Sequence, residues 1–328
     1  MNVLSLFDGK SSGYTALELA GIPVDNYYSS EVDKYAIQVS NAIHPNQVRL
    51  GDVTKWREWD IDWASIDLVL GGFPCQAWSM AGKQLGDKDE RGMLFWVMLD
   101  IMKEVRKHNP KADFLIENVK MKKEFEEYIT YYTEKALGEV HKILINSALV
   151  SAQNRNRYYW TSFKVEQPED KGVMLCDILE LDCNDVNSDG WHNWFEKNKE
   201  FQLRKAYSKV IDEKSTDKAI CMTARQFASW NGNFVIVQKP RGNNAGGIRA
   251  KNGKTPTLSA NSWEHNNHLT DGVKYRKLTP RECFRLQTVP EHYIDKILSC
   301  GVSNTQLYKI AGNGWTDLVI SHILSCMK

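Results

Sequence analysis

Short apolar runs alternate with amphipathic stretches through the first half of the chain. The runs that predict buried strands are Val3 to Phe7, Tyr27 to Val32, Asp67 to Leu70, and Ala112 to Ile116. The stretches that predict helices are Tyr14 to Ala20, Lys34 to Ala42, Met93 to Lys107, and Phe125 to Leu137. Strands that alternate with helices predict an α/β fold, a doubly wound and mostly parallel sheet with helices on both faces.

The pattern changes near Lys164. From there to about Thr270 the chain is rich in Asn, Gly, Lys and Trp, with a short strand at Phe234 to Val237 and a basic, glycine-rich loop over 241–254. Amphipathic helices return at Pro280 to Leu286 and at Asp317 to Met327. We therefore predict a sheet domain at 1–170, a smaller irregular domain with a hinge at 171–301, and a return to the first domain at 302–328.

Composition narrows the class of protein. Of 328 residues, 42% are hydrophobic and 25% are charged, which is ordinary for a globular protein and excludes disordered and collagen-like chains. The net charge of +1 gives no global sign of a nucleic-acid partner, so such a partner would need a local basic surface. The seven cysteines form no C-x-x-C pair, and no apolar run of membrane-spanning length or signal peptide is present, which predicts a cytoplasmic protein.

A glycine-bearing turn, Phe7-Asp8-Gly9-Lys10-Ser11-Ser12-Gly13, joins the first predicted strand to the first predicted helix. Such a turn lets a ligand approach the backbone closely. Glu31 ends the next strand, at a spacing that suits a carboxylate binding ribose hydroxyls, and Asp52 follows a third segment. The pattern indicates an adenosine-containing ligand; without G-x-G-x-x-G a dinucleotide is less favoured, and a chance glycine turn remains the alternative.

Four further groups that could carry chemistry come later in the chain. Cys75, in Gly72-Phe73-Pro74-Cys75-Gln76, comes directly after a buried strand, where a thiolate nucleophile is well placed, although a lone cysteine is more often an inert core residue. Glu117 follows another strand, and Arg155 and Arg157 are spaced to share one side of an extended segment. Each is unremarkable alone, but together they put a thiol, a carboxylate and two guanidiniums near one end of a sheet.

Six motifs occur in one order along nearly the whole chain. They are Phe7-Asp8-Gly9, Pro74-Cys75-Gln76, Glu117-Asn118-Val119, Gln153-Asn154-Arg155-Asn156-Arg157, Arg276-Lys277-Leu278-Thr279-Pro280-Arg281-Glu282 with Arg285-Leu286-Gln287, and Ala311-Gly312-Asn313-Gly314-Trp315. The series resembles motifs I, IV, VI, VIII, IX and X of the DNA cytosine-5 methyltransferases, of a single-chain bacterial or phage type with some likeness to the animal de novo enzymes.

The resemblance implies a Rossmann-like fold. It also implies that the protein methylates C5 of a flipped cytosine in double-stranded DNA, with S-adenosylmethionine as the donor and S-adenosylhomocysteine as the product. It implies that Cys75 adds to C6, that Glu117 holds N3, and that Arg155, with Arg157 near it, binds the O2 side or the adjacent phosphate. The residues that it implies for cofactor binding are Phe7, Asp8, Gly9, Lys10, Ser11, Gly13, Glu31, Val32, Asp52, Val53, Pro74, Asn313 and Trp315.

By the same resemblance, the 171–275 segment would be the target-recognition region. The residues implied for contact with the base or the DNA are Gln76, Ser79, Asn118, Gln153, Arg225, Arg241, Arg249, Lys251, Thr257 and Leu258. The expected partner is double-stranded DNA, with no metal and no membrane, and the expected state is monomeric.

The sequence departs from the family pattern in two segments. Lys10 replaces an apolar or small residue, and its side chain either points to solvent or reaches the carboxylate end of the cofactor. Gly314-Trp315 replaces the Ser-Val that is commoner in bacterial enzymes, which affects the expected shape of the cofactor pocket.

Three other functions compete with DNA methylation. A tRNA cytosine-5 methyltransferase would share these motifs, and methyl transfer to tRNA or to DNA separates the two. A catalytically silent DNA-binding relative would have no chemical need for Cys75, Glu117 and Arg155. A nucleotide-dependent oxidoreductase would leave Pro74-Cys75-Gln76 unexplained.

Overall fold

The computed structural model describes residues 1–74, 92–180, 197–198, 201, 204, 208–211, 218–222, 232–238, 247–248 and 273–327, with the backbone alone described at 208–211, 232–238, 247–248 and 273–277. The first seven strands are β1 (Asn2–Leu6), β2 (Asn26–Ser30), β3 (Val48–Arg49), β4 (Leu68–Gly71), β5 (Asp113–Val119), β6 (His141–Asn146) and β7 (Asn156–Thr161). Within the described ranges, the helices are α1 (Ser12–Leu19), α2 (Lys34–Ile43), α3 (Leu94–His108), α4 (Lys123–Leu137), α5 (Pro280–Leu286), α6 (Glu291–Ser299), α7 (Asn304–Asn313) and α8 (Asp317–Leu324).

The seven strands form one sheet in the order β3-β2-β1-β4-β5-β7-β6. Strands β1 to β5 pair in parallel, and β7 runs antiparallel to both β5 and β6. The predicted doubly wound, mostly parallel α/β sheet is therefore confirmed. The predicted helices also form, with bounds that differ by a few residues.

Both faces of the sheet are covered by helices. In β1, Leu4 belongs to a buried cluster that includes Met98 of α3, whereas Val3 belongs to a cluster that includes Leu17 of α1 and Ile320 of α8. Successive side chains of a strand point to opposite faces, so a strand buried on both sides needs an unbroken apolar run. This is why the first segment is apolar almost throughout.

A third core lies away from the sheet. It joins Val39 of α2 to Phe284 of α5, Ile294 of α6 and Leu307 of α7. Buried side chains of helices in the predicted second domain thus pack in one core with those of a helix in the predicted first domain. The division at 170 and 301 stays a prediction.

Helix α5 starts where its sequence specifies a start. The Thr279 hydroxyl accepts a hydrogen bond from the Glu282 backbone N–H at 3.1 Å, and the Glu282 carboxylate accepts one from the Thr279 N–H at 2.8 Å. With Pro280 at the first helical position, this is a complete capping box. The motif that resembles motif IX thus encodes a helix start.

A second sheet is formed by later strands, namely β8 (Ser208–Ile211), β9 (Gly232–Gln238), β10 (Gly247–Ile248) and β11 (Val273–Lys277). β11 and β10 run antiparallel to β9, and β8 runs parallel to it. The sequence predicted the middle of β9 alone among these four strands.

Candidate active site

The carboxyl ends of four parallel strands lie side by side. Leu6 at the end of β1 pairs with Ser30 of β2 and with Gly71 of β4, and Gly71 pairs with Ile116 of β5. The strand order reverses where β1 meets β4, which is where ligands bind in open α/β sheets. The crevice at this edge is therefore the candidate site.

The predicted chemical groups follow these strand ends. The 7–13 loop follows β1, Glu31 follows β2, and Glu117 lies near the end of β5. Because β7 is antiparallel to β5, its first residues lie at the same edge, with Arg157 opposite Val119. Glu117 was expected just after a strand, but the ladder with β7 continues β5 to Val119, so Glu117 lies inside the strand.

The loop after β1 has an unusual backbone. Phe7, Gly9 and Ser11 all have left-handed conformations, with φ of 57°, 59° and 63°. The Gly9 N–H donates to the Glu31 carboxylate at 2.8 Å, and a Cβ built on Gly9 would meet no atom of the described residues within 4 Å. The loop backbone therefore borders open space at the crevice, where a ligand can approach it closely.

Gly13 has a packing role. A Cβ at this position would overlap the side chain of Leu70 on β4 and come within 2.8 Å of the Tyr27 hydroxyl oxygen. The missing side chain lets α1 lie close against the sheet. Gly13 therefore supports the predicted cofactor loop by close packing.

Asp8 holds the loop from within. Its carboxylate accepts hydrogen bonds from the Tyr27 hydroxyl at 2.8 Å and the Ser11 hydroxyl at 2.5 Å, and Arg49 lies 3.8 Å away. Burial raises the pKa of Asp8, although these hydrogen bonds oppose the shift. Both oxygens are engaged inside the protein, so Asp8 fixes the shape of the loop.

Lys10 does not point to solvent, and that expectation is wrong. Its Nζ lies 2.8 Å from both carboxylate oxygens of Asp317, and both side chains are fully buried. Burial raises the pKa of Asp317, while the nearby ammonium opposes this shift. The Lys10 charge is paired inside the protein, and the loop after β1 is tied to the start of α8.

Glu31 is held in place by backbone groups. One of its oxygens accepts hydrogen bonds from the N–H groups of Val32 and Asp33, both at 2.8 Å, and the other accepts from Gly9. A carboxylate has about four lone-pair positions, so Glu31 can still accept from a hydroxyl. The neighbouring Val32 side chain is 68% exposed, which leaves an apolar surface beside the carboxylate.

Asp52 and Val53 differ in their surroundings. The Asp52 carboxylate accepts hydrogen bonds from the Thr54 N–H and hydroxyl at 2.8 Å, and these bonds lower the pKa of Asp52. It thereby caps the short 3-10 helix Val53–Glu58. Val53 is buried in the core that includes α3.

Glu117 is held by two donors. Arg157 Nε lies 3.0 Å from one carboxylate oxygen, and the Trp315 indole Nε1 donates to the other at 3.1 Å. These two donors fix the orientation of the Glu117 carboxylate. Glu117 is 9% exposed, so its carboxylate can still be reached from the crevice. Charge-assisted bonds of this kind are the stronger ones in proteins.

Arg155 faces the protein interior. Its guanidinium donates to the backbone carbonyls of Gly314 at 2.9 Å, Gly312 at 3.3 Å and Met222 at 3.4 Å, and the side chain is buried. Burial lowers the pKa of Arg155, and the neighbouring Arg157 adds to the shift. In this structure the Arg155 guanidinium binds backbone carbonyls, and Arg157 is the arginine that contacts Glu117. Contact of Arg155 with the base or a phosphate stays a prediction.

Asn118 and Gln153 also bind the protein's own backbone. Asn118 Nδ2 donates to the Phe73 carbonyl at 3.1 Å, which fixes the segment leading into the half-buried Pro74. Gln153 is fully buried, donates to the Leu286 carbonyl at 3.2 Å and accepts from the Met222 N–H at 2.9 Å. In this structure both amides connect segments around the site, and their contact with substrate or DNA stays a prediction.

The segment that carries Trp315 is fixed on both sides. Gln287, at the end of α5, donates to the Ala311 carbonyl at 2.6 Å and accepts from the Thr316 hydroxyl at 3.0 Å. Asn313, the last residue of α7, is exposed. The contacts made by Gln287 therefore hold the motif X segment against α5.

The remaining predicted site residues lie outside the described residues. They are Cys75, Gln76, Ser79, Arg225, Arg241, Arg249, Lys251, Thr257 and Leu258.

Sequence reasoning missed Asp317, Gln287 and Tyr27. A signal existed for Asp317, because a lysine in a loop that packs against a sheet needs an anionic partner once it is buried. Gln287 stood inside a recognised motif, but nothing in the sequence showed which backbone groups it would bind. All three bind other residues of the site: Asp317 binds Lys10, Tyr27 binds Asp8, and Gln287 binds the Ala311 carbonyl.

The chain is similar to known proteins along most of its length. The family model described as C-5 cytosine-specific DNA methylase matches residues 1–328. The type II methyltransferase M1.ScrFI of Lactococcus lactis subsp. cremoris is 33% identical over 311 residues, covering 88% of this chain and 68% of the relative. The type II methyltransferase M.HhaI of Haemophilus parahaemolyticus is 30% identical over 337 residues, covering 98% of this chain and 93% of the relative.

Solved structures share the fold. The Entamoeba histolytica methyltransferase EhMeth superposes with a TM-score of 0.70 at 15% identity, covering 99% of this chain and 96% of that one. The Dnmt2 methyltransferase of S. pombe superposes with a TM-score of 0.63 at 18% identity, covering 99% and 97%.

Within the described part of the chain, His, Cys, Asp and Glu side chains do not gather in groups of three that could hold a metal ion. None of the helices in the same ranges combines the length and the apolar character that a bilayer crossing requires.

Proposed function

Because this chain belongs to the C-5 cytosine-specific DNA methylase family, we propose that it methylates C5 of a flipped cytosine in double-stranded DNA, with S-adenosylmethionine as the donor. The observation that supports this most is the Glu117–Arg157 pair, at the sheet edge where β4 leads into Pro74 and Cys75. A base brought to this edge would meet a fixed carboxylate and a guanidinium together.

The residues at the β1 and β2 ends fit the proposed cofactor. Glu31 retains acceptor capacity for ribose hydroxyls, and the exposed Val32 offers an apolar surface beside it. The left-handed loop around Gly9 leaves the backbone open to a close approach. S-adenosylmethionine, when bound, supplies an electrophilic methyl group.

The chain's own residues would prepare the acceptor. The Cys75 thiolate adds to C6 of the cytosine, forming an S–C6 bond and turning C5 into a nucleophilic enamine carbon. Glu117 holds or protonates N3 while the ring accepts this charge, and Arg157 lies beside that carboxylate. Once C5 is methylated, loss of its proton and elimination of Cys75 restore the aromatic ring and the free thiolate.

The target base must leave the duplex for this chemistry. Neither face of a stacked cytosine is accessible to a thiolate, so enzymes that act on bases flip them into a pocket. The predicted recognition region would supply the DNA contacts, with Arg225, Arg241, Arg249 and Lys251 on phosphates or base edges.

The experiment that tests the proposal is trapping on modified DNA. Purified protein is incubated with S-adenosylmethionine and a duplex library containing 5-fluorocytosine, and denaturing gels are probed for a protein–DNA adduct. We expect an adduct with the wild type and none with Cys75→Ala. Methyl transfer without trapping would refute the covalent mechanism.

Bisulfite sequencing of DNA from a host that expresses the chain identifies the target. We expect new protection at one short motif, absent with Cys75→Ala. Incorporation of labelled methyl groups into unmodified tRNA, with none into DNA, would instead establish the tRNA alternative.

A further inference from the structure

We propose that Trp315 is a positioning residue for Glu117, and that its indole N–H holds the carboxylate in the orientation that the methyl transfer needs. The proposal rests on the function proposed above. It gives Trp315 a role other than the cofactor contact that the family resemblance implies.

The contact supplies something that Arg157 alone does not. Arg157 Nε lies 3.0 Å from Oε1 of Glu117, and the Trp315 Nε1 lies 3.1 Å from Oε2. A carboxylate held at a single oxygen can still rotate about its terminal bond. With a donor on each oxygen, the plane of the carboxylate is set, which is the precondition for meeting a ring nitrogen in a defined direction.

The indole itself is held in place. The Gly314 carbonyl, one residue earlier, accepts from Arg155 at 2.9 Å, and the Thr316 hydroxyl, one residue later, bonds to Ser147 at 2.9 Å and to Gln287 at 3.0 Å. The backbone on both sides of Trp315 is therefore fixed. An indole on such a backbone keeps its N–H aimed at Glu117 before any substrate binds.

Gly72 makes room for this ring. A Cβ at Gly72 would lie 2.8 Å from the Trp315 Nε1, 3.0 Å from Cζ2 and 3.2 Å from Cε2, all of which are too close. Gly72 is also the second residue before Pro74. The indole thus lies between the chain segment that leads to Cys75 and the carboxylate of Glu117, and a larger residue at 72 would displace it.

The test uses atom-level replacement. Benzothienylalanine placed at 315 by amber suppression keeps the two fused rings and replaces N–H by sulfur, and Trp315→Phe is the conventional second variant. Trp59→Phe is the matched control, because the Trp59 indole nitrogen is buried and has no hydrogen-bond partner among the described residues. We expect kcat to fall roughly tenfold or more in both 315 variants, with the KM for S-adenosylmethionine and for DNA within about twofold, since a hydrogen bond to a charged group is lost.

A second readout does not depend on activity. In 15N-labelled protein, the indole signals of Trp315 and Trp59 are identified by their absence in the corresponding Phe variants. We expect Glu117→Ala to shift the Trp315 indole signal and to leave the Trp59 signal in place. Gly72→Ala should shift the Trp315 signal in the same experiment and lower kcat by a similar factor.

The outcomes separate the two proposals. An unshifted Trp315 signal in Glu117→Ala overturns the contact, whatever the enzyme does. A shifted signal with unchanged kcat, or a raised KM for S-adenosylmethionine at unchanged kcat, overturns the positioning role while wild-type methyl transfer still supports the proposed function. Wild-type protein that methylates neither DNA nor tRNA refutes the proposed function and the positioning role with it.

Discussion

The buried ion pair between Lys10 and Asp317 gives the sharpest prediction about stability. Both side chains are fully buried, and the ammonium contacts both carboxylate oxygens at 2.8 Å. Breaking such a pair leaves an uncompensated buried charge, which destabilises a protein by about 3–5 kcal/mol. Replacing both partners with apolar residues of similar volume removes that charge, so the double variant is expected to be near neutral or more stable.

The two single variants should not destabilise the protein equally. Asp317 is the first residue of α8, where the helix dipole favours a negative charge, and it can also take up a proton. Lys10→Met is therefore expected to destabilise the protein by about 3 kcal/mol, at the lower end of that range. Asp317→Leu strands an ammonium that has lost both of its acceptors, so we expect a loss near the upper end, about 5 kcal/mol.

Urea unfolding at pH 7.5, followed by tryptophan fluorescence, measures these differences. The set is wild type, Lys10→Met, Asp317→Leu and the double variant, compared as a double-mutant cycle. If each single variant costs under about 1 kcal/mol, or if the double variant loses the sum of the two singles, the pairing argument is refuted.

The same variants decide whether Lys10 contacts the cofactor. Because its charge is already paired, the double variant should keep the KM for S-adenosylmethionine within about twofold of wild type. A tenfold rise in that KM in a stable double variant would show that the ammonium reaches the cofactor after all.

Three further predictions follow from other contacts. Arg157→Lys should lower kcat about a hundredfold with little change in the urea midpoint, because Arg157 contacts Glu117. Arg155→Lys should lower the urea midpoint, because it removes hydrogen bonds to buried backbone carbonyls. If the two variants behave alike in steady-state kinetics and in urea unfolding, these separate roles are contradicted. Burial lowers the pKa of His44 to about 3, so the stability that depends on a neutral His44 is fully present above pH 6.5 and is lost as the pH falls towards 3. Between pH 7.5 and 5.0 the free energy of unfolding, measured by urea titration, should fall by about 2 kcal/mol more in the wild type than in His44→Gln. Equal falls in the two proteins would refute this prediction. Gly13→Ala should destabilise the protein by about 1–3 kcal/mol, because its Cβ overlaps Leu70, and an unchanged thermal midpoint would show that α1 can move away.

The sheet was predictable because its strands are buried on both faces. An apolar run such as Val3 to Phe7, followed by a glycine turn and a helix, has few alternatives in an α/β protein. The exact ends were less predictable, since β5 continues through Glu117 only because β7 pairs with it up to Val119. The strands β8 and β11 were missed for a related reason: their sequences are mixed in polarity, and pairing with β9 decides their conformation.

The site was predictable as a set of residues but not as a set of contacts. The rule for extended chains placed Arg155 and Arg157 on one side, yet Arg155 precedes β7 and donates to the carbonyls of Met222 and Gly312. Those partners are distant in sequence, and no local pattern encodes them. The solvent-facing alternative for Lys10 was wrong for the same reason, since its partner is 307 residues away.

That separation has a consequence for biosynthesis. A ribosome adding about 5–20 residues per second needs roughly 15–60 s to travel from codon 10 to codon 317. Throughout that interval Lys10, in the loop after β1, lacks the Asp317 carboxylate that pairs with it in the folded protein. The order of translation thus delays the final contacts of this loop until α8 emerges, well after the seven strands of the first sheet are made.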